Sequence, residues 1–397
     1  MATLATYKVE VGWEAVAANA FTFGVSTLDG GGVLGSQLYT DFGGTHDDIS
    51  SDVQGFDVRR GRGDNLSSTP MGEAVVRLTD TTGKYNPRNA SSPLAGTLLA
   101  MRPVRIRATY GGTTYGVFRG YVRTIEYDPV AKVATLMAGD LFLWLSRVYP
   151  TIASVATTTG GAIGLLLDAI GLTEPALRSV DPLAGDPITF SADGSQSALS
   201  LIEDLLTAER GVFFIDGDGV AVYLDRTVLQ GNAASVATID ASIAVVPNVE
   251  VERIRNRVSV TAEGGNAQVA YDADSQATYG WADIPAISSA FLADDLQAAR
   301  LANYLMALYR DAVGNIRSLR LVNGSPANVT HMLARRLQDR VTVSDPAVGG
   351  ADYIIEGVAL SLSGVTLTWE ATLSECSGNG FFIFGSSLMD GGDVLGY

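Results

Sequence analysis

The sequence predicts a mainly β protein with an α+β region in its middle, and three observations carry that reading. Apolar stretches are short, rich in Val, Ile, Thr and Tyr, and separated by turn residues. Period-two alternation recurs towards both ends, beginning with Tyr7, Val9, Val11 and Trp13. Helical spacing of apolar residues is limited to a few segments, two in the middle of the chain and one at 294–310. At 397 residues the chain exceeds one ordinary core and fits two or three domains. A hydrophobic fraction of 47% against 18% charged residues excludes wholesale disorder.

The opening strand covers residues 5–13, and a Gly-rich insertion follows at 20–44. Strands resume at 56–60 and 73–78, with a polar turn from Arg60 to Asn65 between them, and residues 80–93 are nearly all turn chemistry. Residues 104–110 alternate strongly, and Gly111 and Gly112 supply a two-residue hairpin loop into a partner strand ending at Val122. A further hairpin joins 123–127 to 131–137 around Asp128 and Pro129. Residues 1–148 therefore read as one antiparallel, barrel-like β domain.

The period changes in an α+β region at 149–248. Residues 161–170 and 197–209 are helical in spacing; in the second, Leu199, Ile202, Leu205 and Leu206 share a face and Ser197 is a candidate cap. A hairpin follows, with Asp216, Gly217, Asp218 and Gly219 as its turn. The third region, 249–376, opens with a strand at 257–262. Its helix at 294–310 is expected to turn Leu296, Ala299, Leu301, Tyr304, Leu305 and Leu308 inward. Strands return at 316–321, 340–343, 353–362 and 365–372, the last two joined at Ser363 and Gly364. A Gly-rich docking tail completes the chain at 377–397.

That tail repeats the insertion. FTFGVSTLDGGGVLG at 21–35 and FIFGSSLMDGGDVLG at 382–396 share ten of fifteen residues without a gap. Each reads as an aromatic strand, a DGG turn and an apolar return. Two similar hairpins on their own domains would explain this, but strand addition to a neighbouring subunit is the stronger reading. Phe21, Phe23, Asp29, Val33 and Leu34, with Phe382, Phe384, Asp390, Val394 and Leu395, are therefore the candidate assembly interface.

Composition excludes several function classes. A net charge of −16 argues against phosphate-seeking nucleic-acid binding. Cys376 is the one cysteine and His46 and His331 the two histidines, so no disulfide framework, cysteine zinc site or multi-histidine centre is available. The N-terminus lacks a basic n-region followed by an apolar one, and no apolar run approaches the roughly 20 residues that span a bilayer. A soluble product of a cytosol, without stable membrane insertion, is expected.

Individual motifs add little chemistry. Asp216-Gly-Asp-Gly begins like a calcium loop, but Val220, Ala221 and Thr227 stand where a ligand, a Gly and a Glu belong, so a hairpin turn is the better reading. Arg62-Gly63-Asp64 is a three-residue match in a plain loop. Asn65, Asn89 and Asn328 fit glycan acceptors and are expected unmodified. Trp281 fits either a sugar site or, better, a buried or interfacial aromatic. No phosphate loop or GxSxG elbow occurs, and acidic pairs abound by chance among 43 carboxylates. No catalytic, metal or cofactor site is expected.

The stretch from Val58 to Glu126 resembles the N-terminal domain of minor tail proteins of long-tailed bacteriophages, the tail-tip or baseplate hub family. The residues that carry this are Arg59-Arg-Gly-Arg62, Ala74-Val-Val-Arg-Leu-Thr-Asp80, Gly83-Lys-Tyr-Asn-Pro87, Asn89-Ala-Ser-Ser-Pro93, Arg102-Pro-Val-Arg-Ile-Arg-Ala108 and Phe118-Arg-Gly-Tyr121. Residues 198–211, with the hairpin to Arg226, look similar too, and the third region more weakly; the 21–44 insertion departs from the pattern. The resemblance implies two tube-like antiparallel β-barrel domains flanking smaller inserted hub domains. It also implies a non-enzymatic virion protein, assembled in the bacterial cytoplasm into a trimeric ring that continues the tail tube. Its partners would be further copies of itself, the distal tail or tail tube protein, tail fibre or spike proteins and the tape measure protein, with phage DNA only as transiting cargo. Alternatives are a host-facing receptor- or carbohydrate-binding tip protein and, behind it, a distal tail protein or a wall-degrading tail enzyme.

Overall fold

In the computed structural model the described residues are 5–13, 46–63, 68–226, 228, 234–240, 245–248, 254–310, 315–345, 349–375, 381–382 and 394–395. The first region follows its alternation closely. Strands β1 (Thr6–Val11), β2 (Asp47–Asp48), β3 (Val53–Gly61), β4 (Glu73–Thr79), β5 (Pro103–Tyr110), β6 (Thr113–Asp128) and β7 (Val133–Gly139) lie in the order β3-β4-β7-β6-β5-β1-β2, all antiparallel. Period two sends Ala74, Val76 and Leu78 of β4 into the core while Glu73 and Arg77 face out. Gly111 and Gly112 make the β5–β6 turn, both with positive φ, as a type I′ hairpin requires. The strand ending expected at Val122 does not occur: β6 runs on for 16 residues, and a register shift between Val122 and Thr124 absorbs the change.

The turn-rich stretch after β4 is organised by Asp80, whose carboxylate accepts the N–H groups of Lys84 and Tyr85. Tyr85 is thereby buried, and its hydroxyl donates to Asp52 at 2.6 Å.

A short helix α1 (Phe142–Leu145) leads into β8 (Thr151–Thr158), α2 (Thr159–Ala169), β9 (Arg178–Ser179), β10 (Pro187–Asp193), α3 (Ala198–Glu209), β11 (Val212–Ile215) and β12 (Ala221–Leu224). Ser197 does cap α3, its hydroxyl accepting the N–H of Ser200. The buried face is Ala198, Leu201, Ile202, Leu205 and Ala208, with Leu199 and Leu206 only flanking it. These helices, the β8–β10 ribbon and the β11–β12 hairpin enclose a second apolar cluster.

Strands β13 (Ala237–Asp240) and β14 (Val245–Asn248) precede a small unit of β15 (Arg257–Ala262), β16 (Gln268–Tyr271), α4 (Ala273–Tyr279), β17 (Ile287–Ser289) and α5 (Asp295–Tyr309). Asp294 caps α5 through the N–H of Gln297. The inward face of α5 is Ala298, Leu301, Ala302, Leu305, Met306 and Tyr309, and Leu296 is exposed. Of the expected face, Leu301 and Leu305 are buried and Tyr304 and Leu308 pack half-buried against the same core, while Ala298, Ala302, Met306 and Tyr309 join it on the flank.

Four strands finish the large sheet: β18 (Asn315–Val322), then, after helix α6 (Pro326–Ala334), β19 (Arg340–Asp345), β20 (Gly349–Ser363) and β21 (Thr366–Glu375). Here the two ends of the sequence meet. Along one edge β20 pairs first with β19, through Ile354, and then with β3, from Gly357 to Ser363; along the other it pairs with β21. The result is one 13-stranded sheet, with a single apolar core containing Phe56, Val58 and Ile106 beside Leu319, Leu321 and Trp369. Among the described residues no pairing closes either half into a barrel; the free side of β3 goes to β20.

The change of partner falls at a bulge between Ile355 and Gly357. Glu356, on that bulge, is 4% exposed and accepts from Arg62 Nε at 2.8 Å and Gln338 Nε2 at 2.9 Å. Removing one partner of a buried pair leaves the other charge uncompensated. Glu356→Ala should therefore lower the unfolding free energy by about 3 kcal/mol, read from urea denaturation.

Candidate functional site

Most of the interface expected from the duplicated segment lies outside the described residues: Phe21, Phe23, Asp29, Val33, Leu34, Phe384 and Asp390. The backbone is described around Phe382, Val394 and Leu395. There β22 (Phe381–Phe382) pairs with β23 (Val394–Leu395), and the pairing is parallel, so these two strands are not the arms of a hairpin. Among the described residues they form a separate two-stranded sheet.

Among the described residues a polar junction lies at a place the sequence marked only as a turn. Asp216 organises the β11–β12 turn by accepting the N–H groups of Asp218 and Val220, which confirms the hairpin reading of the DGDG motif. That turn is pressed onto β6 of the large sheet. A Cβ on Gly217 would lie 2.1 Å from the carbonyl oxygen of Gly116, and one on Gly116 would lie 2.8 Å from the backbone nitrogen of Asp218. Glycine at both positions is what permits backbone-to-backbone approach. A cavity of about 220 Å³ remains beside the contact, lined by Arg60, Asp216, Asp218, Met332, Arg336 and Trp369 among others.

The charges around this junction are balanced against burial. Partial burial pulls the Arg60 guanidinium below its ordinary value, and Asp216, Asp140 and Asp218 oppose that pull. Burial pushes Asp140 up to about 7, against hydrogen bonds from the N–H groups of Phe142 and Gly72. On the far side of the middle region, burial likewise pushes Glu209 up to about 7, although Arg226 attracts its charged form and the Asp186 N–H donates to it. Glu10 behaves oppositely: burial would raise it, but hydrogen bonds from Arg105, Lys8 and Arg107 hold it down at about 2. Among the described residues no cluster of three or more His, Cys, Asp or Glu is arranged to hold a metal ion.

Sequence reasoning missed this junction because its members come from β3, β6, α6 and the β11–β12 turn. The DGDG motif, with no use as a calcium loop, was the one local signal. Trp281 is 75% exposed, which removes the buried half of the buried-or-interfacial expectation.

No protein-family model matches the chain, and no curated protein matches it in sequence. Solved structures do match. The 43 kDa tail protein of prophage MuSo2 from Shewanella oneidensis superposes with a TM-score of 0.55 at 14% identity, covering 84% of this chain and 94% of that one. This chain has the fold of a phage tail protein. The tail protein of Neisseria meningitidis MC58 agrees, with a TM-score of 0.53, 14% identity, and the same coverage of both chains. In this tail-protein fold the large sheet and the middle region are joined at the Gly116–Gly217 contact.

Two predictions test the junction. Gly217→Ala and Gly116→Ala should each cost about 1–3 kcal/mol by forced overpacking, and the double variant should cost less than their sum because both break one contact. Urea unfolding of the three variants checks this. The second concerns pH. Glu209 and Asp140 titrate higher in the folded state than their ordinary 4.5 and 3.8, so their contribution is full at low pH and lost as pH rises through about 7. Thermal stability should fall from about pH 4 to about pH 7 and level off above that, and Glu209→Gln should flatten part of that fall.

Proposed function

We propose that the chain is a structural, non-enzymatic protein of a bacteriophage tail tip, a baseplate hub that continues the tail tube channel and anchors fibre or spike proteins. The observation that carries this reading is the β3–β20 seam, which makes the two β-rich parts of the chain one rigid sheet. A subunit with two tube-wall segments held in fixed relation is what a threefold ring needs to match a sixfold tube. In this reading the two halves are tube-like barrel domains and the α+β region and the β15–β17 unit are the inserted hub domains. The subunits form a homotrimer in the virion, bordered by the distal tail or tube protein, the tape measure protein and fibres.

The net charge of −16 fits a channel protein, since an acidic wall repels DNA phosphates and lets the genome pass without sticking. The duplicated segment is the docking element in this reading: its aromatic and Val-Leu ends, Phe381–Phe382 and Val394–Leu395, pair as short strands of their own. A second reading, a host-facing carbohydrate- or receptor-binding tip protein, is favoured by one observation, the exposure of Trp281 and Tyr271.

Gold-labelled antibody against the chain should decorate particles at the tail end beside the tube in negative-stain micrographs; label on distal fibres would favour the second reading. Deleting residues 380–397 should leave thermal unfolding unchanged while tip assembly fails, and normal particles from that variant would refute the docking role.

A further inference from the structure

The β15–β17 unit presents a surface that the hub reading does not use. Helix α5 covers one face of this three-stranded sheet, burying Val258, Val260, Ala262 and Ala270. Alternation puts Arg257 on the opposite face. Tyr271 lies directly across from Arg257 in the antiparallel β15–β16 pair and is 66% exposed. Cross-strand neighbours share a face at about 5 Å between Cβ atoms. The Arg257 guanidinium in turn lies over the Trp281 ring, 5.4 Å from its centroid, and is held by Asp283 at 3.5 Å. Tyrosine, guanidinium and indole thus form one continuous exposed row.

The indole is positioned by a buried clamp. Asn256 is fully buried, and its side chain brackets Trp281: Nδ2 donates to the Gly280 carbonyl at 2.6 Å, and Oδ1 accepts the Ala282 N–H at 2.9 Å. The Asn256 N–H also donates to the Ala282 carbonyl. A buried amide with both ends committed to the residues on either side of one exposed tryptophan is a means of presentation. A rigid ring loses little conformational entropy on binding.

We propose that Tyr271, Arg257 and Trp281 form a platform for a neutral polysaccharide, with the C–H face of a hexopyranose stacked on the indole and its hydroxyls bonded to Arg257 and Asp283. Three features select this occupant. The patch holds one cation and one anion in an ion pair, so it has no net charge with which to hold a polyanion, and the chain as a whole repels one. The rings are separated by the Arg257–Asp283 ion pair rather than joined into one apolar area. A protein partner would have to desolvate that ion pair, at a cost its attraction need not offset. A sugar keeps it hydrogen-bonded while covering the rings. The platform stands whether or not the chain forms the hub ring.

The other three tryptophans, Trp13, Trp144 and Trp369, are buried, so replacing Trp281 removes no core contact and fluorescence quenching isolates it. The full chain would be run in native gels cast with dextran, laminarin, hydroxyethyl cellulose or galactomannan. Retardation is expected in at least one, with Trp281→Ala and Tyr271→Ala each weakening it about tenfold. The same polysaccharide should protect the wild-type protein from acrylamide quenching. Normal mobility in all four gels, or retardation equal in Trp281→Ala, would overturn the proposal. So would Trp281-dependent capture of another tail protein without any retardation, which would make the row a protein interface.

Discussion

Strand β20 is the constraint on which the rest of the molecule depends. It is shared by two partners on one edge and by β21 on the other, so the first and third regions cannot move apart without exposing a ladder of backbone hydrogen bonds. The partner switch leaves one residue outside the ladder, and the chain places a carboxylate there. Glu356 answers Arg62, 294 positions earlier, and Gln338 beside it. Further along the seam Ser361 donates to Asp57, which also holds Arg77. Side-chain hydrogen bonds thus supplement the backbone pairing where two distant parts of the chain meet.

The middle region is held by a different means. Its hairpin turn meets the large sheet through two glycines whose backbones touch, and charge surrounds the contact: Arg60 faces the fields of Asp140, Asp216 and Asp218. Burial opposes the charge of Arg60 and of Asp140, and the attraction between them works against that cost.

The β15–β17 unit shows a third arrangement, with an apolar face against α5 and an outer face left to water. What organises that outer face is a single buried asparagine acting on the loop at 280–282. The apolar packing and the proposed platform use opposite faces of the same three strands.

Much of the secondary structure was legible because its causes are local. Period-two alternation placed β4, β5 and β21; Gly111 and Gly112 placed a turn; Ser197 and Asp294 marked the starts of α3 and α5. Helix α6 carried a readable signal that went unused, a Ser325 cap followed by Pro326 in the first turn. The face of α5 was legible only in part: Leu301, Tyr304, Leu305 and Leu308 meet the core, but apolar residues surround much of that helix, and Leu296 is left exposed. The sequence by itself determined the β-rich class, the hairpins and the acidic, cysteine-poor character, all of which follow from neighbours in the chain. The tertiary structure alone decided the β3–β20 seam, the Gly116–Gly217 contact and the row from Tyr271 to Trp281. Their partners lie from ten to some three hundred residues apart, and no local propensity encodes which distant edge, backbone or ring a segment will meet.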